Sequence, residues 1–438
     1  MLNLMLILKT VVSKIRSSEL LERIATGAFW SAAGSAVAKI LVLIASILTA
    51  NLLGKNGYGE LGLIRSTVNM LVIFGTAGMG VTATKFISQN RFSDRVEVAK
   101  TYSVTTLFTT VTAIIIALLV FCFSKELAAF INAANLDVSI KFAALLLFVT
   151  ILNSAYHGTL AGYEDFKRLS INTFISSFVE AILVVLGAYF WDVKGALLGY
   201  GIGVLSLTLL NKYYSWRILC KEGIIVNYRH LRIKDFRVLI DFSLPAALSS
   251  FLVVPSYWLV RTLIVRYTGF DELGIYEASD QWRIIILFIP SALSNVVLPI
   301  LSSYVGQNKV DSFRKALRIN LLLNVGVSLI LAIIVSVFSS IIMRFYGDGF
   351  DNTYTLILLS ASTVFSSFAS VVGLSIVSRG KTWIGLAFNV FWAFMFIGLS
   401  YITLRLGYGA SGVAFSLLVA YFFHGAFQFL YLKLSVLK

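Results

Sequence analysis

Several long apolar stretches of this chain carry charged side chains, and these are where chemistry is to be sought. Lys39 lies mid-stretch in the first, with Ser35 and Ser31 preceding it at intervals of four. Arg65 lies about two turns into the second, with Asn69 one turn deeper. Glu180 is mid-stretch in the fifth, on one stripe with Ser176 and Asn172. Arg261, on the side of Tyr257, lies in the seventh, and Arg283 in the eighth beside Asp280 and Gln281, with Glu277 one turn outward. A charge at the centre of a bilayer costs about 2.5 kcal/mol or more, so each marks a pathway or a pair. Lys39, Arg65, Arg261 and Arg283 converging on one cavity make a site for an anion. Phosphate is the group that a planar guanidinium fork fits best. The plainer alternative is mutual neutralisation, Asp280 with Arg283 and Glu180 with Lys39. Glu180, Glu277 and Asp280 are equally the residues to test for ion coupling.

The elements that must position these residues are membrane helices. Apolar runs fall at roughly 27–52, 60–83, 101–124, 141–162, 169–190 and 196–216, and after a basic segment at about 239–265, 276–303, 319–345, 353–378, 382–405 and 410–432. A bilayer core needs roughly 20 apolar residues per helix. The runs are continuous rather than alternating, which excludes barrel strands. The reading is an all-α polytopic membrane protein of about twelve transmembrane helices. Mean hydropathy of +0.87 with 13% charged residues agrees with it and leaves little chain for a soluble domain.

Lys and Arg set the orientation. The N-terminal segment (Lys9, Lys14, Arg16, Arg23), the second connection (Lys85, Arg91, Arg95, Lys100) and the sixth (Lys212, Arg217, Lys221, Arg229, Arg232, Lys234, Arg237) are basic. Odd-numbered connections hold one or two cations each: Lys55, Lys125 and Lys141, Lys194, Arg266, Arg344 and Arg405. Both termini are therefore expected in the cytoplasm. The same distribution, between apolar runs rather than on one face, removes nucleic acid as the partner of the +15 net charge. Met1 to Leu8 reads as an amphipathic lead-in, not a signal peptide. Cys122 and Cys220 fall near opposite surfaces and should not pair. No motif calls for a metal or another cofactor, and no catalytic signature or long outer loop marks an enzyme.

An internal duplication is readable. Leu53-Gly54-Lys55-Asn56-Gly57-Tyr58-Gly59-Glu60-Leu61 recurs as Thr268-Gly269-Phe270-Asp271-Glu272-Leu273-Gly274-Ile275-Tyr276, with Gly54 and Gly269 215 residues apart. Gly158 and Gly373 share that offset, and Gly195 and Gly409 differ from it by one. The expected organisation is an N-terminal lobe over 1–219, a cytoplasmic linker over 220–236 and a C-terminal lobe over 237–438. An axis along the membrane normal relates the lobes, and the substrate path lies between them. Pro245 and Pro255 in the seventh run and Pro290 in the eighth are the expected hinges. His157 and His424 (one turn before Gln428) read as hydrogen-bonded packing residues, and Gly75, Gly80, Gly199 and Gly203 as close-packing sites.

Several segments also carry a family resemblance. They are Leu53-Gly54 with Tyr58-Gly59, Gly158-Thr-Leu-Ala-Gly-Tyr-Glu-Asp-Phe-Lys167, Phe242-Ser-Leu-Pro245, Gly269 to Tyr276, and Tyr346-Gly-Asp-Gly-Phe350. In order and spacing the chain resembles the O-antigen and polysaccharide flippases of the multidrug/oligosaccharidyl-lipid/polysaccharide exporter superfamily. The resemblance implies two six-helix lobes in a V, in the bacterial inner membrane. It implies transfer of an undecaprenyl-pyrophosphate-linked oligosaccharide by alternating access, with membrane lipids and a polysaccharide polymerase of the pathway as partners. It also implies a cationic central cavity, which Lys39, Arg65, Arg261 and Arg283 would supply. The alternatives are a multidrug extruder of the same superfamily, which needs intramembrane acids, a lipid II flippase, which typically has two further helices, and a glycan polymerase, which needs a large outer loop.

Overall fold

The computed structural model describes residues 19–131, 136–228, 231–237, 243, 250–307, 309–379 and 381–435. The expected lead-in at 1–8 and the hinge Pro245 lie outside them. Among the described residues the chain is helical throughout, with no strand. The elements are α1 (Glu19–Thr76), α2 (Met79–Asn90), α3 (Arg95–Cys122), α4 (Ser124–Phe130), α5 (Asp137–Gly162), α6 (Phe166–Lys221), α7 (Ser250–Thr268), α8 (Phe270–Gly306), α9 (Val310–Val337), α10 (Ser339–Arg344), α11 (Thr353–Val377), α12 (Thr382–Arg405) and α13 (Gly409–Ser435). Eight of these are long and apolar enough to cross a membrane. α7 and α8 are not among those eight. They carry the buried charges Arg261, Glu277, Asp280 and Arg283.

Two of the eight are far longer than a bilayer is thick and fold back on themselves. α1 spans 58 residues, about 87 Å at 1.5 Å per residue. It kinks at Gly54 (φ 65°, ψ 177°), a conformation that glycine adopts without steric cost. The two arms are tied where Ser46 Oγ meets the Tyr58 hydroxyl at 2.5 Å. α6 spans 56 residues and breaks at Trp191 and Asp192. Its arms run antiparallel at backbone contact, Gly187 against Gly195, Gly199 against Leu183 and Gly203 against Glu180. A side chain at any of these glycines would displace its neighbour, which is the close-packing role expected for Gly199 and Gly203.

The second apolar run, expected to continue to residue 83, stops at Thr76. Ala77 (φ 40°) and Gly78 (φ 80°) turn the chain, and α2 starts in a new direction. α2 then lies on α5 where Gly158 rests on the Gly80 carbonyl. α7 contains Pro255 and α8 runs unbroken through Pro290. Both cysteines are free and exposed.

Polar ladders cross the apolar layers. Asn172, Asn211 and Asn153 hydrogen-bond in series across α5 and the two arms of α6, at 2.9 and 2.8 Å. In the second half Asn324 bonds Asn320 and Ser294, and Ser328 meets Ser367 at 2.5 Å. In hydrocarbon such groups bond one another because nothing else is there to bond.

Candidate functional site

α1 is the element on which the two halves of the sequence meet, packing on α6 and α5 from its own half and on α8 and α7 from the other. Charges lie on both sides of that contact, buried on one and partly buried on the other. On α7 and α8, Arg261 Nε pairs with Glu277 and Arg261 Nη2 with Asp280 at 2.9 Å, while Arg283 Nε pairs with the other oxygen of Asp280. All four are more than nine-tenths buried. On the other side, Arg65 Nη2 lies 3.6 Å from Glu180 Oε1, and its guanidinium covers the Tyr200 ring at 4.5 Å. Gly62, one turn from Arg65, faces Glu277 so closely that any side chain there would collide with the carboxylate. The two clusters therefore face each other with little more than a glycine between them.

Three arginines are thus met by three carboxylates. For Arg65 and Arg261 the sequence offers no acid three or four residues away on the same helix. Their acids come from other helices, Glu180 on α6 and Glu277 and Asp280 on α8. Glu180 takes Arg65 as its partner, in place of the alternative partner Lys39. Asp280 does meet Arg283, as the plainer alternative held, but Arg261 shares it. Arg65 keeps one unused donor, its buried Nε having no partner. Lys39 is the exception. Among the described residues no carboxylate lies within ion-pair distance of it, and its ammonium sits 5.6 Å from the Phe288 ring centroid of α8. Lys39 also lies about 22 Å along its arm from the Gly54 kink, against about 16 Å for Arg65 along the other arm.

Above the clusters, at the Gly54 end, the halves are clasped by the duplicated segment. Gly59 rests on the Phe270 carbonyl and Gly274 on the Lys55 carbonyl. These are the same contact made twice, with residues exchanged between repeats. Asn56 Nδ2 bonds Asp271 Oδ1 at 3.1 Å, the partners being 215 residues apart, and Lys55 Nζ lies 3.3 Å from Asp271. The repeat-related Gly54 and Gly269 both have positive φ, 65° and 90°. Asn51 donates to the Phe345 carbonyl, and Tyr58 packs edge-on against Tyr346 and Phe350, each at 6.4 Å. Three of the segments that carried the family resemblance thus build a single seal. Sequence reading missed this, along with Gly62 and the Trp258–Thr67 hydrogen bond at 3.0 Å. The equal 215-residue spacing of Gly59 and Gly274 was the available signal for the seal.

Comparison with known proteins now decides the family. The family described as "Polysaccharide biosynthesis protein" matches residues 24–305, well over half of the chain. The chain belongs to this family. A second family, described as "MatE", matches residues 245–402. Among the chain's relatives is the "EPS I polysaccharide export inner membrane protein EpsE" of Ralstonia nicotianae, 23% identical over 68% of this chain and 74% of the relative. A "Putative O-antigen transporter" of Shigella flexneri is 22% identical over 88% of this chain and 92% of the relative. The fold is that of solved transporters. An inward-facing multidrug resistance MATE family transporter of the MOP superfamily superposes with a TM-score of 0.78 at 16% identity, over 92% of this chain and 95% of that one. A MOP superfamily transporter from Pyrococcus furiosus, whose description speaks of reversed polarity of the binding pocket, gives 0.70 at 15% identity, over 94% and 96%. The protein is a multi-pass membrane transporter rather than an enzyme.

Proposed function

We propose that this transporter flips an undecaprenyl-pyrophosphate-linked oligosaccharide, an O-antigen or related polysaccharide repeat unit, across the bacterial inner membrane by alternating access. The observation that carries the proposal is the cationic set between the halves. Among the described residues Lys39 has no acid within ion-pair distance, and Arg65, Arg261 and Arg283, each held by a carboxylate, lie on the helices that meet around it. A pyrophosphate cannot cross hydrocarbon unpaired. Lys39 is the first cation it meets, and the arginines are the next as the lobes move. The tail stays in lipid while the head group crosses.

The polysaccharide-export relatives support the substrate class, and the seal at Gly59 and Gly274 supports a conformation closed on the outer side. The kinked hairpins of α1 and α6, counted as two spans each, with α7 and α8 added, support twelve spans in lobes 1–219 and 237–438 joined by 220–236. The basic connections support cytoplasmic termini. Pro245, Pro255 and Pro290 are the proposed hinges and the polymerase of the pathway a proposed partner. Glu180, Glu277 and Asp280 hold the arginines until the phosphate displaces them.

A second reading, export of organic cations, draws on the same three acids and on the fold shared with multidrug transporters. A deletion strain separates the two. Loss of surface glycan restored by the wild-type gene and not by Lys39→Ala supports the flippase. Intact glycan with new drug sensitivity would replace it with the extruder.

A further inference from the structure

Away from the charges, α11, α12 and α13 border a half-open cavity of about 490 Å³. It falls within the roughly 300–1,000 Å³ typical of small-molecule sites. Ser366 and Ser370 of α11, Asn389 of α12 and Tyr421, His424 and Gln428 of α13 supply its polar wall, and among the described residues no ionised side chain lines it. His424 and Gln428 are 6% and 3% exposed. Their Nε2 atoms meet at 3.0 Å. The bond leaves His424 Nδ1 and Gln428 Oε1 buried without a partner. With the amide donating to His424 Nε2, the other ring nitrogen carries the proton. The two unpartnered atoms are withdrawn from the cavity surface, so the polar groups set around a ligand are the Ser366 and Ser370 hydroxyls, the Asn389 amide and Tyr421, an uncharged set suited to hydroxyl groups.

The rest of the wall points to the same ligand. Tyr421 is braced by Trp392 at 5.3 Å and gives the cavity a rigid aromatic surface. Serine hydroxyls and the Asn389 amide add adaptable donors and acceptors. A phosphate would find no cation here and a metal ion no carboxylate, and an alkyl chain would leave the serine and asparagine groups of the wall without a polar partner. Tyr421 also connects the cavity to the charges. Its hydroxyl lies 3.1 Å from that of Tyr257, which accepts from Arg283 Nη1 at 3.3 Å. Two tyrosine hydroxyls thus separate this wall from the proposed phosphate-binding arginines, a span that one sugar pyrophosphate head group covers.

We propose that this cavity is a glycan subsite holding an uncharged pyranose of the lipid-linked substrate. The inference rests on the flippase reading and adds where the sugar is read. The test uses the full-length protein in nanodiscs, titrated with methyl pyranosides of hexose, 6-deoxyhexose and N-acetylhexosamine type and, separately, with sugar-free undecaprenyl pyrophosphate. At least one glycoside is expected to bind saturably. Gln428→Leu should weaken it about tenfold, equivalent to 1.4 kcal/mol. Gly373→Leu fills the space next to Gln428, which an added Cβ already reaches at 3.4 Å, and should abolish binding. Asn389→Ala, a milder change on another helix, should weaken it less. Undecaprenyl pyrophosphate should bind wild type and all three variants alike. Glycosides that bind none of the proteins, or bind all equally, would overturn the subsite while the pyrophosphate arm keeps the flippase reading standing. Failure of the pyrophosphate to bind wild type would count against the flippase itself.

Discussion

Gly274→Leu should force the outer side of the transporter open. The Cβ of any residue at 274 would lie less than 3 Å from the Lys55 carbonyl oxygen and carbon, on backbone that cannot rotate away. α8 must then move off α1 by something on the order of 1 Å, and overpacking of this kind costs about 1–3 kcal/mol. The cost falls only on the closed seal. The balance between closed and open outer faces should therefore shift by about 5- to 150-fold. Phe350 is 1% exposed and packed on Tyr58 within the seal. With Cys122 and Cys220 replaced by Ser, Phe350→Cys gives a reporter for a membrane-impermeant maleimide added from outside. Labelling should be slow with Gly274 present and faster by the stated factor with Gly274→Leu. Gly59→Leu should act the same way, because its contact is the repeat-related copy. Gly54→Ala strains the kink but meets nothing within 4 Å. It controls for general destabilisation and should not raise labelling. Equal labelling of Gly274→Leu and its parent, with both folded, would refute the seal.

Arg261→Ala leaves Glu277 and Asp280 with Arg283 alone and should destabilise the protein by about 3–5 kcal/mol, read as a lower Tm in detergent. Adding Glu277→Gln should recover much of that, and an unchanged Tm in the single variant would show the cluster is not a balanced buried network. Lys39→Ala should abolish glycan export at normal protein levels while Lys39→Arg retains it. Export that survives Lys39→Ala would remove Lys39 from the pathway. Gly187→Leu, forced into the Gly195 carbonyl within the α6 hairpin, should prevent folding altogether, measured as loss of monodisperse protein.

Much of the helical layout was legible because it is dictated locally. Long apolar runs leave a chain in lipid no alternative to helix, and the runs ending at 162, 378 and 405 finish within a residue of the observed helices. The repeat marked Gly54 and Gly269 as equivalent positions, and both have positive φ. What stayed hidden depends on contacts between distant segments. Arg65 and Glu180 are far apart in sequence and on different helices, and so are Tyr257 and Tyr421. No periodicity within one helix reveals such a pair. Gly62 looked like one more small residue in an apolar run, because its meaning lies in the Glu277 carboxylate packed against it. His424 and Gln428 were legible as a hydrogen-bonded pair on one face. The cavity they line was not, since its other walls come from α11 and α12.

The central claim is that cations between the halves carry a phosphate-bearing glycolipid across the membrane. Proteoliposomes containing the purified protein and a fluorescent undecaprenyl-pyrophosphate oligosaccharide test it most directly, with substrate in the outer leaflet read by an impermeant quencher. The account predicts protein-dependent flipping that is lost with Lys39→Ala and competed by sugar-free undecaprenyl pyrophosphate. Flipping that ignores both the lysine and the competitor would contradict it.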